Sequence, residues 1–172
     1  MAKRLVLTAL AALLASPLTL TAQDAVVQSL KVLFNITKTN IMETAEILDE
    51  DLYAFRPTEE VFTAGQILTH VANDQFRFCS NAGGEDNPSA ENFEETRTKK
   101  AEIIAALEQG FAYCEGVFAN TTDAKGAMPV TFFGGPNTVF GVLAANSMHN
   151  YEHYGNLVTY MRLNGITPPS SR

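Results

Sequence analysis

The 172-residue chain is predicted to be all-α and to fold as a single four-helix bundle. Three observations carry that prediction. Four long segments place apolar residues at three- and four-residue spacings, no segment sustains the alternation of a strand, and the four segments are of comparable length. Amphipathic helices of this kind hide their apolar stripes by packing on one another. One domain suits a chain of this length, and the length is enough to enclose a real core.

Residues 1–22 have the pattern of a secretory signal: Lys3 and Arg4, then an apolar run from Leu5 to Leu14, then small and polar residues from Ser16 to Ala22. The domain itself is therefore expected over residues 23–172, in the periplasm or secreted. The alternative is an N-terminal anchor that stays attached. The apolar run is short for a span, and no later stretch approaches the ~20 apolar residues that a spanning helix needs, so no membrane contact is expected after signal removal.

The first helix is expected over residues 24–48, with Val26, Leu30, Leu33, Phe34, Ile41, Ala45 and Leu48 as its stripe. Asp49, Glu50 and Asp51 then crowd negative charge where the helix dipole disfavours it. Residues 49–62 read as an irregular connection, since Pro57 biases Arg56 away from helical angles. The second helix starts at Thr63, which forms a capping box with Gln66, and runs to about residue 81 before Gly83 and Gly84 end it. Residues 82–94 read as a polar crossover loop. The third helix is expected over residues 95–120, with Ile103, Ile104, Leu107, Phe111, Cys114 and Phe118 inward. Residues 121–136 read as a loop with a hydrophobic plug at Thr131-Phe132-Phe133. The fourth helix runs from residue 137 or 138 to 164, stopped by Gly165 and then Pro168-Pro169.

Charge excludes one class of partner. The chain has 12 Lys+Arg against 19 Asp+Glu, and loss of the signal leaves 10 against 19, a net charge of −9. Such a surface repels phosphate backbones, and no basic stripe or aromatic-basic interleaving is present, so nucleic acid is not an expected partner.

Cys79 and Cys114 bear on topology. Were the second and third helices antiparallel neighbours, the two sulfurs would be ~25 Å apart along the axis. Were they parallel, both cysteines would lie near the same end, and the crossover loop can span ~40 Å, more than the ~28 Å of the second helix. A disulfide is then allowed; two buried free thiols are the alternative.

The chain has three histidines, His70, His149 and His153. His149 and His153 stand one turn apart on the fourth helix, ~6 Å along the axis and ~40° around it, which lets two imidazoles share one metal ion. His70 lies in the apolar stripe with Ile67 and Val71, facing the bundle. Alone it would read as a hydrogen-bonded core histidine. Together the three point to one divalent metal ion, and the absence of an obvious fourth ligand points to open coordination positions, as catalytic sites have. Asp74, Glu152 and Asn156 flank them as candidate outer partners of the imidazoles. Glu152 is also a candidate general base acting on water activated by the metal, although it is turned ~100° from His153 around the helix. Residues 149–153 fit the inverted zinc-protease pattern H-x-x-E-H, but no Asp or Glu follows His153 to complete it. Glu-x-x-His, the mark of di-iron bundles, is absent, as are a haem-attachment motif and a Gly-rich phosphate loop.

Tyr53-Ala54-Phe55-Arg56-Pro57-Thr58, then residues 66–72 around His70, then residues 149–160 around His149 and His153, and the closing Pro168-Pro169-Ser170-Ser171 together resemble the DinB-like superfamily. The resemblance covers essentially all of the chain after the signal. It implies a four-helix bundle of up-down-down-up connectivity. It also implies a zinc, nickel, manganese or iron ion held by one histidine of the second helix and two of the fourth, which are His70, His149 and His153 here. Relatives of known activity transfer low-molecular-weight thiols or, with mycothiol, isomerise maleylpyruvate, and a homodimer is expected by the same analogy. Export disfavours a reduced thiol cofactor. The leading expectation is a metal-dependent hydrolase or group transferase acting on a small substrate. The alternatives are a non-catalytic metal-binding or metal-stabilised interaction module, and a bundle whose site holds nothing.

Overall fold

The computed structural model describes residues 24–89 and 91–172, so the expected signal at residues 1–22 lies outside the described residues. Helix α1 (Ala25–Ile47) buries Val27, Phe34, Thr37, Ile41, Thr44 and Ala45. Val26 and Leu33, expected in that stripe, are instead about half exposed. The core face follows positions 27, 34 and 41, and residues one place earlier are rotated ~100° away from it. After α1 the chain forms a 3-10 turn at Glu50–Ala54, where Tyr53 is buried and its hydroxyl donates to the Ala45 carbonyl at 2.6 Å.

Helix α2 (Ala64–Gly83) opens with the expected capping box: Thr63 Oγ1 accepts from Gln66 N at 3.2 Å and Gln66 Oε1 from Thr63 N at 2.8 Å. It ends on Gly84 at φ 78°, a conformation that costs glycine nothing.

The third helix differs from its sequence reading. Instead of one segment over residues 95–120 there is a single turn, α3 (Phe93–Thr96), followed by extended residues and then α4 (Lys100–Ala119). Two anchors separate α3 from α4. Phe93 is buried against Phe76, and Asn73 of α2 grips the turn, its Oδ1 accepting from Phe93 N at 2.9 Å and its Nδ2 donating to Asn92 Oδ1 at 2.7 Å. At the start of α4, Lys100 N donates to Glu50 Oε1 at 3.1 Å, a carboxylate where the helix dipole favours one.

Beyond the short α5 (Asp123–Gly126), residues expected to form a loop pair as an antiparallel hairpin of β1 (Pro129–Phe132) and β2 (Gly135–Thr138). Its two-residue turn, Phe133-Gly134, has φ of 49° and 76°, the left-handed pair that matches strand twist. Four-residue strands are too short to display alternation, and β2 (Gly-Pro-Asn-Thr) has no apolar side to display. Helix α6 (Val139–Leu163) follows, capped by Thr138 Oγ1, which accepts from Gly141 N at 3.1 Å.

Side-chain pairings fix the connectivity. Gly65 lies against Ile103, Ala72 and Gln75 against Gly110, and Cys79 is disulfide-bonded to Cys114, so α2 and α4 run parallel. A Cβ on Gly110 would stand 2.8 Å from the Ala72 carbonyl oxygen, which is how close the two backbones come. The pair α1 and α4 is antiparallel, as Lys38–Glu115 at one level and Lys100 bonded to the Glu46 and Leu48 carbonyls at another require. The pair α2 and α6 is antiparallel as well, with His70 near His153 and Gln75 near Asn146. The result is the all-α, up-down-down-up four-helix bundle, with Phe34 packed edge-on to Phe111 and at a tilt to Phe118 in its core. Among the described residues no helix is long and apolar enough to cross a membrane.

Candidate metal centre

The antiparallel pair α2 and α6 sets His70 opposite His149 and His153, and all three rings turn their Nε2 atoms to one point. His149 Nε2 lies 3.2 Å from His70 Nε2 and 3.0 Å from His153 Nε2, and the three ligand atoms fall within 4.8 Å of one another. Ligands on a tetrahedral ion with bonds of ~2.0–2.1 Å stand ~3.3 Å apart. Asp74, one turn after His70 and only 6% exposed, joins from the same side, its Oδ2 being 3.1 Å from His149 Nε2 and 3.4 Å from His70 Nε2.

The contacts around this cluster leave its lone pairs free to face a cation. His70 Nδ1 is 2.8 Å from Glu94 Oε1, and facing a carboxylate it carries a proton, so in the neutral ring His70 Nε2 is an acceptor. Asp74 Oδ2 is an acceptor too. With the His149 and His153 protons on Nδ1, four lone pairs, those of the three Nε2 atoms and of Asp74 Oδ2, face one another. The Nδ1 atoms of His149 and His153 are buried and make no hydrogen bond. Burial, together with the neighbouring His70 and Arg77, pulls the His149 imidazole down to about 4, and burial with the other two histidines does the same to His153. Both rings are neutral near pH 7, the form that ligates metals. The residues present thus fit a divalent cation.

Glu94 lies on α3, and sequence reasoning passed over it as part of the crossover loop. Nothing in the sequence separates it from neighbouring Glu91 and Glu95; its role comes from Asn73, which docks α3 on α2 and donates to Glu94 Oε1 at 3.3 Å. A carboxylate at Nδ1 fixes the tautomer and orientation of a ligating imidazole. Asp74 approaches the imidazoles on their Nε2 side, where the lone pairs converge, and burial raises its carboxyl above the usual range against the pull of His70 and Arg77. Glu152 and Asn156 are exposed on α6, and neither makes a side-chain hydrogen bond with the imidazoles. Phe78 packs on His149 with ring centroids 5.3 Å apart.

Beneath the imidazoles, three carboxamides lock α2 to α6. Gln75 Nε2 donates to Asn150 Oδ1 at 2.8 Å, Asn146 Nδ2 to Gln75 Oε1 at 3.1 Å, and Asn150 Nδ2 to Asn146 Oδ1 at 3.2 Å, all three residues being fully buried. Each neighbours the cluster in sequence, so this ring sets the register in which His70 meets His149. Asn150→Leu is expected to cost about 1–3 kcal/mol in urea denaturation, because it strands two buried partners. A change below ~0.5 kcal/mol would contradict that role.

Acid is expected to weaken the metal-free fold. Unfolded histidines take protons near pH 6.5, the folded His149 and His153 only near 4. Between those values the unfolded state holds more protons, so stability falls as pH drops through the window. Asp74, raised in the fold, opposes the trend as one group against two. Thermal unfolding of chelator-treated protein from pH 7 to 4 checks this, and a flat midpoint would count against buried neutral imidazoles.

Two clefts meet at the cluster. His153 opens on one of about 460 Å³ that includes Val61, Phe62, Asn156 and Tyr160. His149 opens on another of about 650 Å³ that includes Phe78, Phe133, Met148 and Glu152.

An all-α bundle with imidazoles converging from two facing helices defines a class of metal-site scaffold. The sequence pattern of the DinB superfamily matches residues 33–157, and the chain belongs to that superfamily. Among solved structures it is similar to a DinB-like protein from Bacillus cereus at 17% identity and a TM-score of 0.72, covering 83% of this chain and 95% of that one. It is also similar to the DinB-like protein YjoA from Bacillus subtilis at 20% identity and a TM-score of 0.62, covering 83% and 93%. A mycothiol-dependent maleylpyruvate isomerase shares the fold at 16% identity and a TM-score of 0.64, over 76% of this chain and 60% of that one. No curated protein matches the sequence.

Proposed function

We propose that the protein is an exported metalloprotein that holds one divalent ion through the Nε2 atoms of His70, His149 and His153 and uses it to hydrolyse, or transfer a group to, a small substrate. The observation that carries this reading is the convergence of three imidazole Nε2 atoms and the Asp74 carboxylate on one point. Nitrogen donors with a carboxylate close by suit zinc, nickel, manganese or iron. Such an ion supplies Lewis acidity to a substrate oxygen entering from either cleft. The chain's own groups supply the rest. Glu94 holds His70 in its ligating tautomer. Asp74 Oδ2, 3.1 Å from His149 Nε2, stands beside the ion's position, where a carboxylate can take a proton from an attacking hydroxyl or water. Glu152 stands at the rim of the cleft beside His149 and is placed to receive protons from solvent-facing groups of the substrate.

Export is supported by the basic-then-apolar start of residues 1–22 and by the disulfide between Cys79 and Cys114, a bond that persists in oxidising compartments. In such a compartment a reduced thiol cofactor, like the mycothiol in the name of one structural relative, is disfavoured. Metal analysis of protein purified without a histidine tag tests the site. The wild type is expected to carry about one ion per chain and His70→Ala to lose most of it, since a tridentate site reduced to two imidazoles binds weakly. Equal metal content in the two would overturn the proposal.

A further inference from the structure

The basic residues of the chain leave one cation at the metal centre. Arg77, two turns after His70 on α2, has Nη1 3.7 Å from Asp74 Oδ1, and among the described residues it is the one Lys or Arg within ion-pair distance of a member of the cluster. Its guanidinium lies over a ring of the hairpin, with Cζ 4.5 Å from the centroid of Phe133. It is nevertheless 54% exposed, so most of its five N–H groups remain free. Phe133 itself is 66% exposed at a positive φ, an unfavourable setting for an aromatic residue both in solvation and in backbone. That turn brings its ring against Phe78 and Phe132 and over Arg77, and Phe133 also lines the cleft at His149, so the guanidinium stands beside that cleft, just behind its lining. The same cleft is lined by Met148, 71% exposed, and Tyr151, 42% exposed.

Resting on the metal-site reading above, we propose that Arg77 is the specificity residue of this site and that the substrate is an amphipathic organic anion. Its carboxylate pairs with the guanidinium, its apolar or aromatic body lies between Phe133 and Met148, and its reacting group faces the imidazoles. A guanidinium held over an aromatic ring keeps N–H groups free, and its fork suits a two-oxygen anion. Asp74 shares one edge of that fork and leaves the others. Glu152, which also lines the cleft, repels a carboxylate placed beside it and so favours the guanidinium as the anion's partner.

Phenylbutyrate and its neutral amide, phenylbutyramide, serve as probes, titrated calorimetrically into zinc-loaded and into chelator-treated protein. The carboxylate is expected to bind about tenfold more tightly than the amide. Arg77→Gln is expected to abolish the preference, Arg77→Lys to keep part of it, and Phe133→Ala to weaken both probes alike. Thermal unfolding of each variant confirms folding. A carboxylate preference that survives Arg77→Gln, equal binding of the two probes, or no binding of either overturns the assignment. A preference that depends on Arg77 in both preparations, together with failure of zinc to bind, would refute the metal-site reading and leave the anion site standing.

Discussion

Removing the bridge between α2 and α4 is expected to destabilise the fold by ~4 kcal/mol, the chain-entropy value for a loop of this size. Cys79 and Cys114 lie 35 residues apart in sequence, with Cα atoms 5.3 Å apart and both side chains buried. The two helices that it joins run parallel, and the crossover between them contains only the single turn of α3. Without the bond, that long connection regains freedom in the unfolded chain. The measurement is urea denaturation of the Cys79→Ala, Cys114→Ala pair against the oxidised wild type, and a loss under ~1 kcal/mol would show that packing alone holds the helices. The effect should extend to the metal centre, since Cys114 Sγ packs on the Gln75 carbonyl and lies 3.9 Å from Asn146 Nδ2, within the carboxamide ring that registers α2 on α6.

Metal loading should move stability by a similar amount in the other direction. A ligand that binds only the folded state at ~1,000 times its dissociation constant contributes ~4 kcal/mol. For a domain of this size that is a rise of about 8–16 °C in Tm. Zinc added to chelator-treated protein is expected to give such a rise, and His149→Ala to remove it. His149 is the natural choice, because its Nε2 is the atom that both other imidazoles and Asp74 face. An unchanged Tm on zinc addition would indicate that the cluster binds no ion.

What the sequence disclosed and what it withheld follow from the range of the interactions concerned. Helices α1, α2 and α6 were legible because apolar spacing, the Thr63–Gln66 capping box and the terminal glycines are local signals, and local signals set element boundaries. Cysteine placement limited the topology, since parallel and antiparallel arrangements put the sulfurs at very different separations. The separation of α3 from α4 was not legible, because it depends on Asn73 gripping residues about twenty positions away. The hairpin was missed because its strands are four residues long and are held by a left-handed turn at Phe133-Gly134. In the site, helical phase put His149 and His153 on one face and His70 toward the bundle, and the family resemblance joined the three. Glu94 and Arg77 were not: one reaches His70 only after α3 docks, and the other acquires its setting from the hairpin. Neither has a sequence spacing that marks it.

The most direct test of the metal centre is a crystal structure of zinc-loaded protein with anomalous diffraction at the zinc edge. The expected result is one strong anomalous peak per chain, ~2.0–2.1 Å from the Nε2 atoms of His70, His149 and His153. A fully loaded crystal with its peak elsewhere, or with any of the three imidazoles turned away from the ion, would contradict it.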